Sequence, residues 1–288
     1  MNSLLATVNK ILTYSVVDGP GNRLVIFLQG CNFNCSTCHN PYTVGVCDHC
    51  GDCIPACHVD ALAMVDGRVV FDPTACDQCD ACLHICPISA SPMVQQVSVA
   101  DILDIARKNR PFLSGITVSG GEATLQLKFV IALFKAVKDD PALNGLTCFV
   151  DTNGHLGAQS WERLLTVTDG VMLDIKAFDP ATHHALTGQD NAKTLKAAKI
   201  VRDAGKLYEL RFLAIPGKTD TEREVAKLTD FALSLGSDVR VRLNAFQHHG
   251  VRGDALEWPK MTETGVNKIA EHLRKAGISE VITPALYL

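Results

Sequence analysis

Eleven of the chain's twelve cysteines lie between Cys31 and Cys86, and their spacing limits what this chain can fold into more than any other feature. They form three groups. Cys31, Cys35 and Cys38 are spaced C-x3-C-x2-C. Cys47, Cys50, Cys53 and Cys57 are spaced C-x2-C-x2-C-x3-C, and Cys76, Cys79, Cys82 and Cys86 repeat that pattern. The first twelve residues carry Asn2, Asn9 and Lys10 and no long apolar core, so no signal peptide is expected. Without a secretory route, so many cysteines point to metal rather than to disulfides. Cys148 stands apart, in the apolar run 146–150, and reads as a small core residue.

The first group follows a short apolar run, 24–28, that reads as a buried strand. Three thiolates hold three irons of a [4Fe–4S] cube and leave the fourth iron without a protein ligand. An open iron at the C-terminal end of a strand is a place for a substrate. Buried structural cysteines need no fixed spacing, and a closed zinc site needs one more ligand.

C-x3-C-x2-C resembles the cluster motif of the radical S-adenosylmethionine (SAM) enzymes. The longer string runs Asp18-Gly19-Pro20-Gly21-Asn22-Arg23, then Phe27, Gly30 and the three cysteines, and closes with His39-Asn40-Pro41. It resembles one branch of that family, the glycyl-radical enzyme activating enzymes. The repeated groups resemble a bacterial two-cluster ferredoxin, in which the fourth cysteine of each run ligates the other cluster. That resemblance implies one cube on Cys47, Cys50, Cys53 and Cys86, and a second on Cys76, Cys79, Cys82 and Cys57. His58 follows Cys57 where proline is usual. Paired C-x2-C groups also suit zinc, but four cysteines in each tight run, twice over, favour clusters. The intervening Met64 to Val70 reads as a hairpin around Asp66-Gly67. Segment 43–95 has little apolar material, so its metals are expected to tie it together. The arrangement looks closest to the YjjW-type activases, which carry such an insertion.

From residue 97 the pattern alternates helix and strand. Ser98 is a plausible N-cap for a helix. Strands are expected over 115–119, 146–151, 170–174, 207–215 and 239–245, and helices over 125–138, 160–165, 193–204, 221–235 and 262–276. With the first strand this makes six βα units, hence an α/β fold with a parallel sheet and right-handed crossovers. Six units rather than eight suggest an open, partial (β/α)6 TIM-type barrel, which is also the radical SAM fold. Residues 1–42 and 96–288 would form the barrel, and 43–95 a ferredoxin-like insertion in its first βα loop.

Candidate binding residues sit at the strand ends. Gly120 and Gly121 allow close backbone approach, and Glu122 can accept from an ammonium; in the family, G-G-E binds the amino group of SAM. Asp151-Thr152-Asn153-Gly154 and Asp174-Ile175-Lys176 resemble motifs that surround the SAM carboxylate and ribose. Their acidic groups are able to hold a monovalent cation, because two carboxylates facing one site repel unless a cation or Lys176 intervenes. Arg211 alternates with apolar neighbours and should point inward. The family places an arginine there against SAM; the plainer reading is a buried salt bridge. Resemblance also puts His39 and Thr37 at the cofactor, although the Thr37 position is often aromatic. The sixth strand of relatives ends in an aromatic–His pair. Here Phe246 is followed by Gln247, and His248 or His249 reaches that place from the loop, with His248 the candidate.

The chain's 47% hydrophobic content is ample for a core, and its net charge of −4 leaves no basic footprint for nucleic acid. No stretch approaches the roughly 20 apolar residues of a membrane span. A cytoplasmic protein working anaerobically is expected. The implied activity is reductive cleavage of SAM to a 5′-deoxyadenosyl radical that takes a hydrogen atom from a glycine of a partner glycyl-radical enzyme, with flavodoxin or ferredoxin as donor. The alternative is radical SAM chemistry on another peptide or a small molecule. A plain electron-carrying ferredoxin needs neither six βα units nor G-G-E.

Overall fold

A computed structural model describes residues 4–284. The chain folds as two compact units, one of residues 1–32 and 40–146, the other of residues 33–39 and 147–288.

In the first unit, β1 (Leu5–Leu12) pairs antiparallel with β2 (Arg23–Leu28). A hairpin of β3 (Leu62–Val65) and β4 (Arg68–Phe71), a short α1 (Ala81–Ile85), β5 (Gln95–Ser98), α2 (Val99–Asn109), β6 (Gly115–Gly120) and α3 (Leu127–Asp139) follow. Strand β2 is buried on both faces and runs parallel to β6, with Leu24 opposite Ile116. That is the apolar pattern a central parallel strand requires. Strand β5 pairs antiparallel with the outer edge of β1. The expected N-cap is present: Ser98 accepts from the Asp101 amide, and Asp101 reaches back to the Ser98 amide. The hairpin turns at Asp66 (φ 49°) and Gly67 (φ 72°), the paired positive dihedrals of a two-residue turn.

In the second unit the chain alternates β7 (Thr147–Thr152), α4 (Ala158–Leu165), β8 (Gly170–Ile175), α5 (Pro180–Thr187), α6 (Ala192–Asp203), β9 (Leu207–Ala214), α7 (Glu222–Leu235), β10 (Arg240–Ala245), α8 (Glu263–Lys275) and β11 (Glu280–Ile282). Its strands are all parallel, each beside the next in sequence. The parallel α/β alternation is therefore as expected. Strands β1, β5 and β11 and helix α5 are additions to it. Among the described residues, no helix is long and apolar enough to cross a membrane.

Candidate functional site

The cysteine loop is divided between the units: Cys31 belongs to the first, Cys35 and Cys38 to the second. In the first, Gly30 takes φ +100°, and the chain returns so that the Gly30 and Cys31 amides donate to the carbonyls of Thr43 (2.8 Å) and Val44 (3.0 Å). The motif's first half is tied down behind it. Arg23 is fully buried, its guanidinium donating to Thr117 Oγ1 (3.1 Å) and the Ile116 carbonyl (2.7 Å), while Thr117 Oγ1 donates to the Asp18 carbonyl (2.6 Å).

Gly120, Gly121 and Glu122 close β6. The Glu122 amide donates to the Gly30 carbonyl (2.8 Å), and its buried carboxylate accepts from the Thr124 amide (2.9 Å) and hydroxyl (2.7 Å). Packing within the protein requires both glycines. A Cβ on Gly120 would collide with the Leu28 backbone, and one on Gly121 with the carbonyls of Gly30 and Thr43. Gly121→Ala should therefore destabilise the fold by roughly 1–3 kcal/mol, the usual cost of overpacking. Gly157→Ala, at φ −68° with nothing near the new methyl, should change little. Equal melting temperatures for the two variants would contradict this.

In the second unit, α5 holds the loop. The Asn34 and Ser36 amides donate to the carbonyls of Thr187 and Leu186, both at 2.9 Å. Phe33 lies buried, edge-on to His155 (5.5 Å) and to the fully buried His183 (5.6 Å), whose Nδ1 donates to the Ala177 carbonyl (3.2 Å). Neither Phe33 nor His183 stood out in the sequence. The signal for α5 was present: Asp179 caps it, Pro180 opens it and Gly188 closes it at φ +76°.

Around Cys35 and Cys38 the charges are matched. Lys176 Nζ is 2.8 Å from Asp174 Oδ2. Burial pushes the Cys35 thiol up to about 11 against the opposing pull of Lys176. It likewise opposes the charged forms of Asp174 and Lys176, but here the ion pair outweighs it: the carboxyl is held below its ordinary range and the ammonium above. Burial, helped by Lys176 and His249, holds His39 below the usual imidazole range. Arg211 bonds Asp151 (3.0 Å), Glu209 (2.8 Å) and Met172 Sδ (2.9 Å), so the salt-bridge reading of this arginine describes its contacts. Each of Asp151 and Asp174 thus has a side-chain cation, and repulsion alone does not call for a metal cation. Thr152 and Ile175 are buried, Thr152 Oγ1 accepting from the Gly154 amide (3.0 Å). Thr37 is buried as well.

After β10, His248 engages the Trp258 carbonyl through Nε2 (2.8 Å), and Gln247 donates to the Met261 carbonyl (2.9 Å). His249 lies beside the cysteine loop, its ring 6.5 Å from that of His39.

The repeated cysteines line two small hollows of the first unit. One is lined by Cys47, Cys50, Cys53 and Cys86, the other by Cys57, Cys76, Cys79 and Cys82. Each hollow takes three cysteines from one run and the last from the other. The halves correspond at a constant offset of 29 residues (47 to 76, 57 to 86). The His49 and Gln78 amides point at Cys47 and Cys76 Sγ, both at 3.4 Å; the Ala61 and Ala90 amides point at Cys57 (3.2 Å) and Cys86 (3.3 Å). Burial raises the Cys53 and Cys82 thiols alike to about 11. Among the described residues no disulfide joins any of these cysteines.

A C-x3-C-x2-C loop after a parallel strand, with strand-end acids and bases beside it, defines the class. The chain belongs to the radical SAM superfamily, which residues 25–229 match. More particularly, it is 32% identical over 250 residues to the pyruvate formate-lyase-activating enzyme of Streptococcus mutans, covering 84% of this chain and 78% of that one. It is 34% identical over 249 residues to the trans-4-hydroxy-L-proline dehydratase activating enzyme of Clostridioides difficile, covering 80% of each. In fold it is similar to a radical SAM methyltransferase from Sphaerobacter thermophilus, with a TM-score of 0.58 at 13% identity over 98% of this chain and 77% of that one. The protein is a radical SAM oxidoreductase, and its superfamily implies a [4Fe–4S] cluster and SAM.

Proposed function

We propose that this protein activates a glycyl-radical enzyme. The observation that carries the reading is the C-x3-C-x2-C loop with its charged surroundings, in a chain similar over most of its length to two activating enzymes. When bound, the cube of Cys31, Cys35 and Cys38 supplies the electron that cleaves SAM to methionine and a 5′-deoxyadenosyl radical, which takes a hydrogen atom from a glycine of the partner. The chain's own residues position and exclude. Helix α5 holds the Cys35–Cys38 segment through backbone bonds that need no metal. Glu122, its carboxylate fixed by Thr124, accepts from the SAM ammonium. Asp151, Thr152, Asp174, Ile175 and Lys176 receive the carboxylate and ribose, and Arg211 sets the Asp151 carboxylate in place. The family resemblance also assigns Thr37, His39, Gly120 and Gly121 to the cofactor. His249 is the better histidine for the β10 loop, because Nε2 of His248 is engaged with a carbonyl.

The reading extends to the insertion 43–95, as two further [4Fe–4S] cubes on a ferredoxin-like repeat within a partial barrel formed by the rest of the chain, the arrangement resembled by the YjjW-type activases. Its support is the pair of hollows, each lined by four cysteines, three from one run and one from the other. Cubes held by these eight cysteines would pass electrons on from flavodoxin or ferredoxin. A stored radical and thiols as exposed as Cys50 and Cys79 fit anaerobic, cytoplasmic work. On the ligand count, anaerobic reconstitution yields about twelve irons per chain; zinc with only about four irons would overturn the insertion reading. Incubation of the reduced protein and SAM with candidate glycyl-radical enzymes, followed by electron paramagnetic resonance, should give a glycine-centred doublet. SAM cleavage without a doublet from any of them favours a different peptide or small-molecule substrate.

A further inference from the structure

The side chain of Gln29 ties the start of the insertion to the cysteine loop. Gln29 lies two residues before Cys31 and is buried. Its Nε2 donates to the Tyr42 and Gly45 carbonyls, each at 2.7 Å, and its Oε1 accepts from Asn9 Nδ2 at 3.2 Å. A glutamine amide has two protons to give, and here both go to one loop. The Gly30 and Cys31 amides bond the Thr43 and Val44 carbonyls of that same loop. Gln126 braces the clamp from behind, its Nε2 donating to the carbonyls of Thr7 (2.9 Å) and Gln29 (3.0 Å).

The clamped loop runs directly into the first cysteine run, since Cys47 lies two residues beyond Gly45. On one side, a Cβ on Gly30 would lie 3.4 Å from Val46 Cγ2. Cys31 and Cys47 each follow a member of that pair, one step of about 3.8 Å along the chain. On the other side, a Cβ on Gly45 would meet the Ile88 carbonyl and Ala90, both in the wall of the hollow of Cys47, Cys50, Cys53 and Cys86. The residues that line the hollow of Cys57, Cys76, Cys79 and Cys82 make none of these bonds. The two hollows meet at the insertion's small core, where Cys53 and Cys82 are buried in one cluster.

We propose that segment 42–47, held by Gln29, is the electron exit of the insertion. Cys47, Cys50, Cys53 and Cys86 then stand next to the Cys31 loop in the relay, and Cys57, Cys76, Cys79 and Cys82 stand one place further back. The inference rests on the two-cube reading of the insertion. In the exit step one electron leaves the site of the nearer four thiols, which is oxidised, and enters the site at Cys31, which is reduced; no bond or proton moves. Electron transfer weakens steeply with distance, so the short, rigid link is the one that carries it. Gln29 acts through the loop it holds and is a positioning residue.

The test uses the full chain, reconstituted anaerobically and reduced, and reads the electron paramagnetic resonance signal that added SAM shifts. That signal belongs to the site with the open iron. A second reduced cluster nearby broadens it, and the broadening falls with the third power of distance. Cys79→Ala removes the further cluster and Cys50→Ala the nearer one, each leaving about eight irons. The broadening should persist in Cys79→Ala and be lost in Cys50→Ala. The opposite pattern, or equal broadening in both, would overturn the order. Where either variant sheds both clusters of the insertion, Gln29→Glu carries the comparison, since it keeps every ligand and removes both donors. It should weaken the broadening while holding about twelve irons; unchanged broadening would overturn the clamp. A parent chain that holds zinc and only about four irons overturns the two-cube reading itself, whereas a parent with about twelve irons and no broadening overturns the exit alone.

Discussion

Cys35→Ala should reduce SAM cleavage to the uncatalysed background while leaving about eight of twelve irons in place, the count for two cubes on the insertion. The loop that carries Cys35 does not depend on its thiol for shape: Asn34 and Ser36 hold it against α5, and Phe33 against the buried His183. The variant therefore loses a ligand and keeps its fold. A cube left with two of its three thiolates has no second cysteine to recruit from this motif. The measurement is SAM cleavage with dithionite, beside an iron count; surviving cleavage would move the site elsewhere. A pH dependence follows from the same group. Burial pushes the Cys35 thiol up to about 11, so ligation must release its proton. Iron uptake at this loop should strengthen as pH rises towards that value and weaken as it falls.

Cys79→Ala should separate two steps that Cys35→Ala removes together. Cys79 lines the second hollow with Cys57, Cys76 and Cys82, and shares no ligand with the loop at Cys31. Loss of its thiol removes or distorts one cube of the proposed relay. Dithionite bypasses a relay, so cleavage driven by it should persist, while cleavage driven by flavodoxin or ferredoxin should fall sharply. The insertion has a small apolar core of its own, with Leu62, Val69 and Leu83 buried among Cys53 and Cys82. Two of those five residues, Cys53 and Cys82, are proposed ligands, so metal loss and unfolding should be coupled. Iron content and SAM binding of the variant are therefore measured alongside. Equal loss with both reductants, in a variant that binds SAM and keeps the first cube, would refute the relay and assign the insertion to partner docking or site shape.

Strands β2 and β8 were legible because each is a short, nearly continuous apolar run buried on both faces. Strand β8, Gly-Val-Met-Leu-Asp-Ile, carries that signal in every residue but one. Strand β1 does not. Its Asn9 and Lys10 interrupt the alternation where a bulge shifts the register against β2. Strand β5 is Gln-Gln-Val-Ser and has no strand signal at all; it is extended because the edge of β1 offers it backbone partners. Helix α5 is short and hides His183, so its capping residues were its only mark.

By itself the sequence determined the covalent spacing of the eleven cysteines, the equivalence of the two runs and the family motif, since all three are properties of order along the chain. Tertiary structure alone decided which groups touch. It brought the last cysteine of each run into the hollow of the other, and paired Arg211 with Asp151 and Glu209. It set the His249 ring beside His39, and filled the space beside Gly120 and Gly121 with backbone. Contacts near 3 Å depend on strand register and loop return, and those are set by packing over the whole unit rather than by any local pattern.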